Sequence, residues 1–233
     1  MNPAESIDHK HFLQHAYDFV GKYAAIPYDD MMSASNWLGR FALRLFWQLP
    51  ADKYRAFRTQ MFAGLPADFK GRLLEVPVGT GVLSLPRYKD LLEADITCLD
   101  YSSGMLGAAY RRAEELDLTD ITFQQGDVGD LPFAKDTFDL VLSIDGLHAF
   151  PDKEAALQEI QRVLKPGATF TGCLYIRGEN RITDLFVRTF CTWRGFFTPP
   201  FDTYASLRTH LERYFREVRL TRVGSFAGFN CKK

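Results

Sequence analysis

From residue 73 onward, short apolar runs alternate with amphipathic stretches. Leu73-Leu74-Glu75-Val76, Ile96-Thr97-Cys98-Leu99-Asp100, Ile121 to Gly126 and Phe138 to Ser143 have strand length and are bounded by turn residues, as buried strands are. The stretches between them carry helical periodicity. Met105, Leu106, Ala109, Ala113 and Leu116 share a face behind a cap at Ser102 or Ser103. Ala156, Leu157, Ile160 and Val163 share another, opened by Pro151-Asp152 and stopped by Lys165-Pro166-Gly167. A strand over 168–176, a helix over 206–214 and closing strands at 218–220 and 225–231 complete the pattern. Strands alternating with helices predict a parallel, doubly wound α/β sheet with right-handed crossovers. Residues 4–69 read as helices over 8–23, 33–48 and 51–62, with Pro50 dividing the last two and Gly64-Leu65-Pro66 leading into the first strand.

Composition narrows the class. A chain of 233 residues, 46% hydrophobic, can bury one sizeable core. A net charge of −1 argues against a general polyanion-binding surface, and no run of 18 apolar residues predicts a membrane span. The start, Met1 to Ser6, lacks a basic and an apolar region, so a cytoplasmic protein is expected. Cys98, Cys173, Cys191 and Cys231 form no Cys-x-x-Cys pair and read as buried reduced thiols, with no metal site. Charge is uneven: from Arg177 onward nine Arg and two Lys face five acids, a net of +6. Such a segment suits an anionic acceptor, a membrane surface or RNA, or is a solvated outer face; no RNA-binding module is present.

The segment Leu73 to Leu83 reads as strand, glycine turn and helix start. Gly79 and Gly81 let the backbone approach a ligand, and a following helix turns its free N–H groups to the same spot. The dinucleotide pattern Gly-x-Gly-x-x-Gly fails at its third glycine, where Ser84 stands. Asp100, 19 residues after Gly81, ends the second strand, where a carboxylate can accept both hydroxyls of a ribose. Asp127-Val128 ends the third strand, and Ser143-Ile144-Asp145-Gly146-Leu147-His148 the fourth. Polar residues thus recur at four consecutive carboxyl ends, the rim where open α/β sheets bind ligands.

Five motifs carry a family resemblance: Glu75-x-x-x-Gly79-x-Gly81, Asp100-Tyr101-Ser102-x-x-Met105-Leu106, Gly126-Asp127-x-x-x-Leu131-Pro132-Phe133, Phe138-Asp139 and Leu164-Lys165-Pro166-Gly167. In this order and spacing they resemble the class I S-adenosylmethionine (SAM)-dependent methyltransferases, in the group with the ubiquinone and menaquinone C-methyltransferases. One position departs: Pro77, without an N–H, stands where the family usually has glycine. The resemblance implies a Rossmann-like, doubly wound, seven-stranded sheet, mostly parallel with an antiparallel terminal hairpin. It implies one methyltransferase domain, with a helical cap over 1–69, a SAM-binding core over 70–176, and a lid segment and terminal strands over 177–233.

The resemblance also implies roles. Gly79, Thr80 and Gly81 would lie against the methionine part of SAM, with Glu75 anchoring the loop and its amino group. Asp100 would hold the ribose, Tyr101 and Met105 would flank the adenine, and Asp127 with the Val128 N–H would read its edge. Ser143 and Ile144 would face the sulfonium. Methyl transfer needs placement more than acid–base help, and a base is required only when the acceptor starts protonated. His148 is one candidate base, or else a residue that orients its loop; Asp145 is another. His9, His11, His15 and His210 read as surface residues.

Two aromatic segments, one with Tyr28, Trp37, Phe41 and Trp47, the other running from Phe186 to Tyr204 through Phe197, are candidates to roof an apolar pocket. Tyr28-Asp29-Asp30 also resembles a Tyr-Asp segment of the quinone C-methyltransferases. Tyr28 and Phe197 are the expected acceptor contacts. The reading is methyl transfer from SAM, leaving S-adenosylhomocysteine (SAH), to O or C of a small, partly apolar acceptor. Its alternatives are a SAM/SAH-binding protein without methyl transfer, and an RNA methyltransferase.

Overall fold

The computed structural model describes residues 14–233. A first helix, α1, is described over 14–23; the earlier part of the predicted helix, with His9 and His11, lies outside the described residues. Helices α2 (Ala25–Ser33), α3 (Trp37–Phe46) and α4 (Ala51–Met61) follow. The sequence pattern predicted one helix over 33–48. The chain instead breaks at Ala34, which has φ 56°, and restarts where the Asn36 side chain accepts from Gly39 N. The helix before the break, α2, falls between the predicted helices over 8–23 and 33–48 and contains Pro27. Pro27 sits in the first turn of α2, where its missing N–H costs nothing.

The alternating part runs β1 (Gly71–Glu75), α5 (Leu85–Tyr88), β2 (Ala94–Asp100), α6 (Ser103–Glu115), β3 (Ile121–Gln125), β4 (Phe138–Ile144), α7 (Lys153–Val163) and β5 (Leu164–Tyr175). Then come α8 (Arg181–Phe186), continued by a π-helical turn (Val187–Cys191), α9 (Tyr204–Leu211), β6 (Glu217–Val223) and β7 (Phe226–Lys232). The seven strands pair in the order β3-β2-β1-β4-β5-β7-β6. β1 to β5 are parallel, and β7 pairs antiparallel with both β5 and β6, as the terminal hairpin requires.

Two-residue periodicity splits the core across the sheet. Leu73, Leu140, Leu142 and Cys173 pack on one face with Met61, Leu85 and Ala109. Leu74, Val141 and Leu174 pack on the other with Leu157, Ile160 and Leu207. Ser102 caps α6 by accepting from Met105 N, and Asp152 caps α7 by accepting from Ala155 N. α5 is a correction. The helix expected directly after Gly81 has four residues and starts only at Leu85, because Pro86 at its first turn cannot continue a helix from upstream.

Asp139, part of a family-like motif, serves structure. It lies near the amino end of β4 and accepts from Arg72 N and Lys165 Nζ, tying β1 to β5. All four cysteines are buried and free. Among the described residues, no helix is long and apolar enough to cross a membrane, and no cluster of His, Cys, Asp and Glu could hold a metal.

Candidate functional site

A cleft opens at the carboxyl ends of β1 to β4, and its floor is made largely of backbone. The chain leaves β1 through a cis Val76–Pro77 peptide and turns with Gly79 at φ 57° and Gly81 at φ 68°. A Cβ added at Gly79 would meet nothing within 4 Å, so this residue faces open cleft; one at Gly81 would lie 2.4 Å from the Leu85 side chain. Gly79 therefore leaves space for a ligand, whereas Gly81 lets the turn close on its own helix. Pro77 also lines the cleft, packed against Gly146 of the loop after β4, where an added Cβ would lie 2.4 Å from Pro77 Cδ.

Asp100, at the tip of β2, is buried. Its Oδ2 accepts from Gly79 N at 2.8 Å and its Oδ1 from Ser102 N at 2.9 Å. Each carboxylate oxygen keeps a further lone pair for a ligand hydroxyl. Burial pushes its carboxyl up to about 6. Glu75 is buried at the end of β1, accepting from Tyr88 OH at 2.8 Å, and burial pushes it up to about 8. Tyr101, Met105, Asp127 and Val128 line the same cleft, as does Thr80. Asp127 accepts from Gly129 N at 2.8 Å, which shapes the turn after β3.

At the end of β4 the predicted residues separate. Ile144 and Asp145 line the cleft; Ser143 is wholly buried and does not. Asp145 has the unusual φ of 52°, and its N–H donates to Cys173 O at 2.9 Å. Cys173 Sγ lies 3.6 Å from its carboxylate, and burial raises that carboxyl to about 7. A carboxyl tuned to this range suits proton transfer at neutral pH.

His148 sits behind the cleft rather than on it. Its Nδ1 accepts from Tyr175 N at 3.1 Å, and its ring lies 3.9 Å from that of Phe197. Burial, with the Lys153 ammonium adding to it, lowers its pKa to about 3, so the imidazole stays neutral. Phe197 does not line the cleft either: it packs among Trp47, Tyr175 and Phe201. The loop carrying it is stitched to the loop after β4, with Thr198 N donating to His148 O and Lys153 Nζ to Thr198 O. His210, expected at the surface, is half-buried. Its Nε2 lies 2.8 Å from Glu154 and its Nδ1 3.5 Å from Asp202, whose carboxylate raises its pKa.

The roof comes from α1 and α2; of its anchors, Asp29 lies in the Tyr28-Asp29-Asp30 segment noted in the sequence, whereas Asp18 carried no signal there. Tyr17, Tyr28 and Met32 face the cleft. Asp29 is buried beside them and accepts from Thr80 Oγ1 and, at 2.6 Å, from Arg112 Nη2; Arg112 Nη1 in turn donates to Thr80 O. Asp18 accepts from Ser102 Oγ at 2.6 Å and Gly104 N at 2.9 Å, at the start of α6. Burial opposes its charge, yet these bonds hold its carboxyl below the ordinary value. A Cβ at Gly21 would lie 2.2 Å from the Gly104 backbone, so α1 crosses α6 at a point only glycine permits. Tyr17 OH donates to Phe196 O at 2.7 Å, joining α1 to the Phe197 loop. Burial, then the carboxylates of Asp145, Asp29 and Asp100, raise the Tyr28 pKa, so its phenol stays protonated.

Comparison with known proteins points the same way. A family model described as a methyltransferase domain matches residues 73–167. Over 159 residues the chain is 36% identical to a demethylmenaquinone methyltransferase of Lactiplantibacillus plantarum, covering 67% of this chain and 65% of that protein. Over 223 residues it is 27% identical to the chloroplastic 2-methyl-6-phytyl-1,4-hydroquinone methyltransferase 2 of Oryza sativa, covering 95% of this chain and 57% of that one. The chain thus spans less than two thirds of the length of either relative. In fold it matches a SAM-dependent methyltransferase of Thermotoga maritima with a TM-score of 0.65 at 17% identity, covering 95% of this chain and 99% of the other.

Proposed function

We propose that this chain is a class I S-adenosylmethionine-dependent methyltransferase that methylates carbon or oxygen of a small, partly apolar acceptor of the hydroquinone class, a reading that the matched methyltransferase domain and the similar relatives support. The names of both relatives above specify a quinone or hydroquinone as the compound methylated, which favours that class. The observation that carries the reading is Asp145, whose carboxyl lines the same cleft as the glycine turn and Tyr28 and is raised by burial to about 7.

The residues present fit the cofactor. Gly79 leaves open space, Thr80 and Gly81 continue the turn, and Glu75 stands behind it for the methionine part. Asp100 takes the ribose, Tyr101 and Met105 flank the adenine, and Asp127 and Val128 meet its edge. Ile144 faces the sulfonium side, and the buried Ser143 supports it from behind. When bound, SAM supplies an electrophilic methyl group on a positively charged sulfur.

The chain's own residues then have two tasks. The roof, with Tyr17, Tyr28 and Met32, holds the acceptor over the floor and keeps water out, and such placement contributes on the order of 7–11 kcal/mol. Asp145 accepts the proton of an acceptor hydroxyl, which makes that oxygen, or the ring carbon conjugated to it, the nucleophile. His148 orients its loop, because its Nδ1 is engaged with Tyr175 N and its ring is buried.

The test is transfer of radiolabelled methyl from SAM to a panel of hydroquinones, simple phenols and RNA. The expected result is turnover with hydroquinones, increasing with an apolar tail. Turnover with RNA alone, or SAH binding with no transfer to any acceptor, would overturn the proposal.

A further inference from the structure

Beside the roof, α3 and the α8 segment present large apolar side chains to solvent. On α3, Trp37 is 73% exposed and Phe41 55%, and Leu38 and Leu45 are exposed with them. Helical spacing puts these four on one outward stripe. On α8 and the segment after it, Leu185 is 61% and Trp193 72% exposed, with Ile182 and Phe190 also exposed. The two surfaces adjoin: Phe46 stacks on Phe186 at 4.5 Å, Phe186 on Phe190 at 5.4 Å, and Thr183 Oγ1 donates to Phe46 O. Soluble proteins rarely leave so many neighbouring aromatic and aliphatic residues in water without a use for them.

Charge identifies what this face meets. Segments 37–48 and 181–194 contain five arginines, Arg40, Arg44, Arg181, Arg188 and Arg194, and one acid, Asp184. That acid is turned inward, accepting from Tyr175 OH at 2.6 Å and Gly178 N at 2.9 Å. Among the described residues, Arg44, Arg181 and Arg188 make no ion pair. Two adjoining segments whose outward charges are arginines, with exposed tryptophans among them, match the interfacial zone of an anionic bilayer.

We propose that this face docks the protein on anionic lipid bilayers. α3 enters the headgroup level with Trp37, Phe41 and Leu45, the segment after α8 enters with Trp193, and the arginines bind lipid phosphates. The roof carries Tyr28 and Met32 into the cleft, and Gly39 of α3 packs directly on Asp30 of α2. Docking thus brings the cleft to within about one helix diameter, roughly 10 Å, of the lipid. An acceptor with an apolar tail then reaches the cleft without crossing water. This last consequence rests on the hydroquinone reading; the docking itself does not.

The test is co-sedimentation of the full-length protein with phosphatidylcholine vesicles, with and without phosphatidylglycerol, while tryptophan emission is followed against brominated lipid. Binding to the anionic vesicles, weakened by salt and accompanied by a blue shift and quenching, is expected. Arg44→Glu with Arg188→Glu should lower partitioning about 30-fold or more. Trp37→Ser with Trp193→Ser should abolish the quenching, and both variants should bind SAH as the unaltered protein does. Absence of binding to anionic vesicles at low salt, or unchanged partitioning in the variants, would overturn the proposal. So would a dimer that the tryptophan variants dissociate, since the face would then be a self-interface. Vesicle binding uses no acceptor: if it holds and hydroquinones are not methylated, the functional reading alone fails.

Discussion

In the floor of the cleft, the groups facing a ligand are fixed mainly by main chain. Asp100 is set by Gly79 N and Ser102 N, Asp127 by Gly129 N, and Asp145 by its own N–H to Cys173 O. The roof is attached by side chains at a few points: Asp29 on Thr80 and Arg112, Asp18 on Ser102 and Gly104, and Tyr17 on Phe196. Moving a floor residue means disturbing the sheet, whereas the roof can be loosened one contact at a time. Cofactor binding should therefore track the floor, and acceptor handling the roof. Asp29 is the exception, because from the roof it bonds Thr80 of the glycine turn.

The sharpest break comes where the two regions meet. Asp145→Asn should reduce kcat by about 10²–10⁴-fold while SAH affinity is kept, measured by steady-state kinetics beside a calorimetric titration. A base must be deprotonated, so unaltered activity should rise with pH through about 7, and that limb should vanish in the variant. Glu75 tests the floor through stability. Burial raises its carboxyl to about 8, above the unfolded value of about 4.3, so the folded state holds the extra proton between those values. Stability should then fall as pH rises across that window, by up to roughly 1.4 kcal/mol per pH unit. Glu75→Gln should flatten the fall in denaturant titrations.

Smaller effects should come from the roof. Asp29→Ala removes a charged acceptor and leaves Arg112 and the Thr80 hydroxyl without it, so SAH affinity should drop about tenfold with little change in fold by circular dichroism. An unchanged affinity would mean that the roof does not set the glycine turn. Tyr28→Ala should raise acceptor KM several-fold and leave SAH binding within about twofold, which kinetics and calorimetry together resolve.

How much of this could be read from the sequence follows the same division. Asp100 and Asp127 were legible because buried strands announce themselves as apolar runs, and whatever polar residue ends such a run lies at the ligand-binding rim. Asp18 and Arg112 were not, and Asp29 was noted only beside Tyr28, without its role as an anchor. The partners of Asp18, Asp29 and Arg112 lie 84, 51 and 83 positions away along the chain, and no periodicity records such pairs. The aromatic segments were visible but not their facing. Of residues grouped as one candidate pocket roof, Tyr28 lines the cleft, Trp47 is buried and Trp37 faces outward. His148 looked like a base because a histidine follows the fourth strand; its partner Tyr175 N lies 27 positions on, in a strand that was predicted, but nothing in the sequence records that the two meet.

The most direct test is calorimetric titration with SAH of the unaltered protein and of Asp100→Ala, with NAD as the control ligand. The account predicts micromolar binding of SAH, a loss of about 100-fold in the variant and no binding of NAD. NAD binding, or SAH binding indifferent to Asp100, would contradict it, because the floor would then not be the cofactor site described.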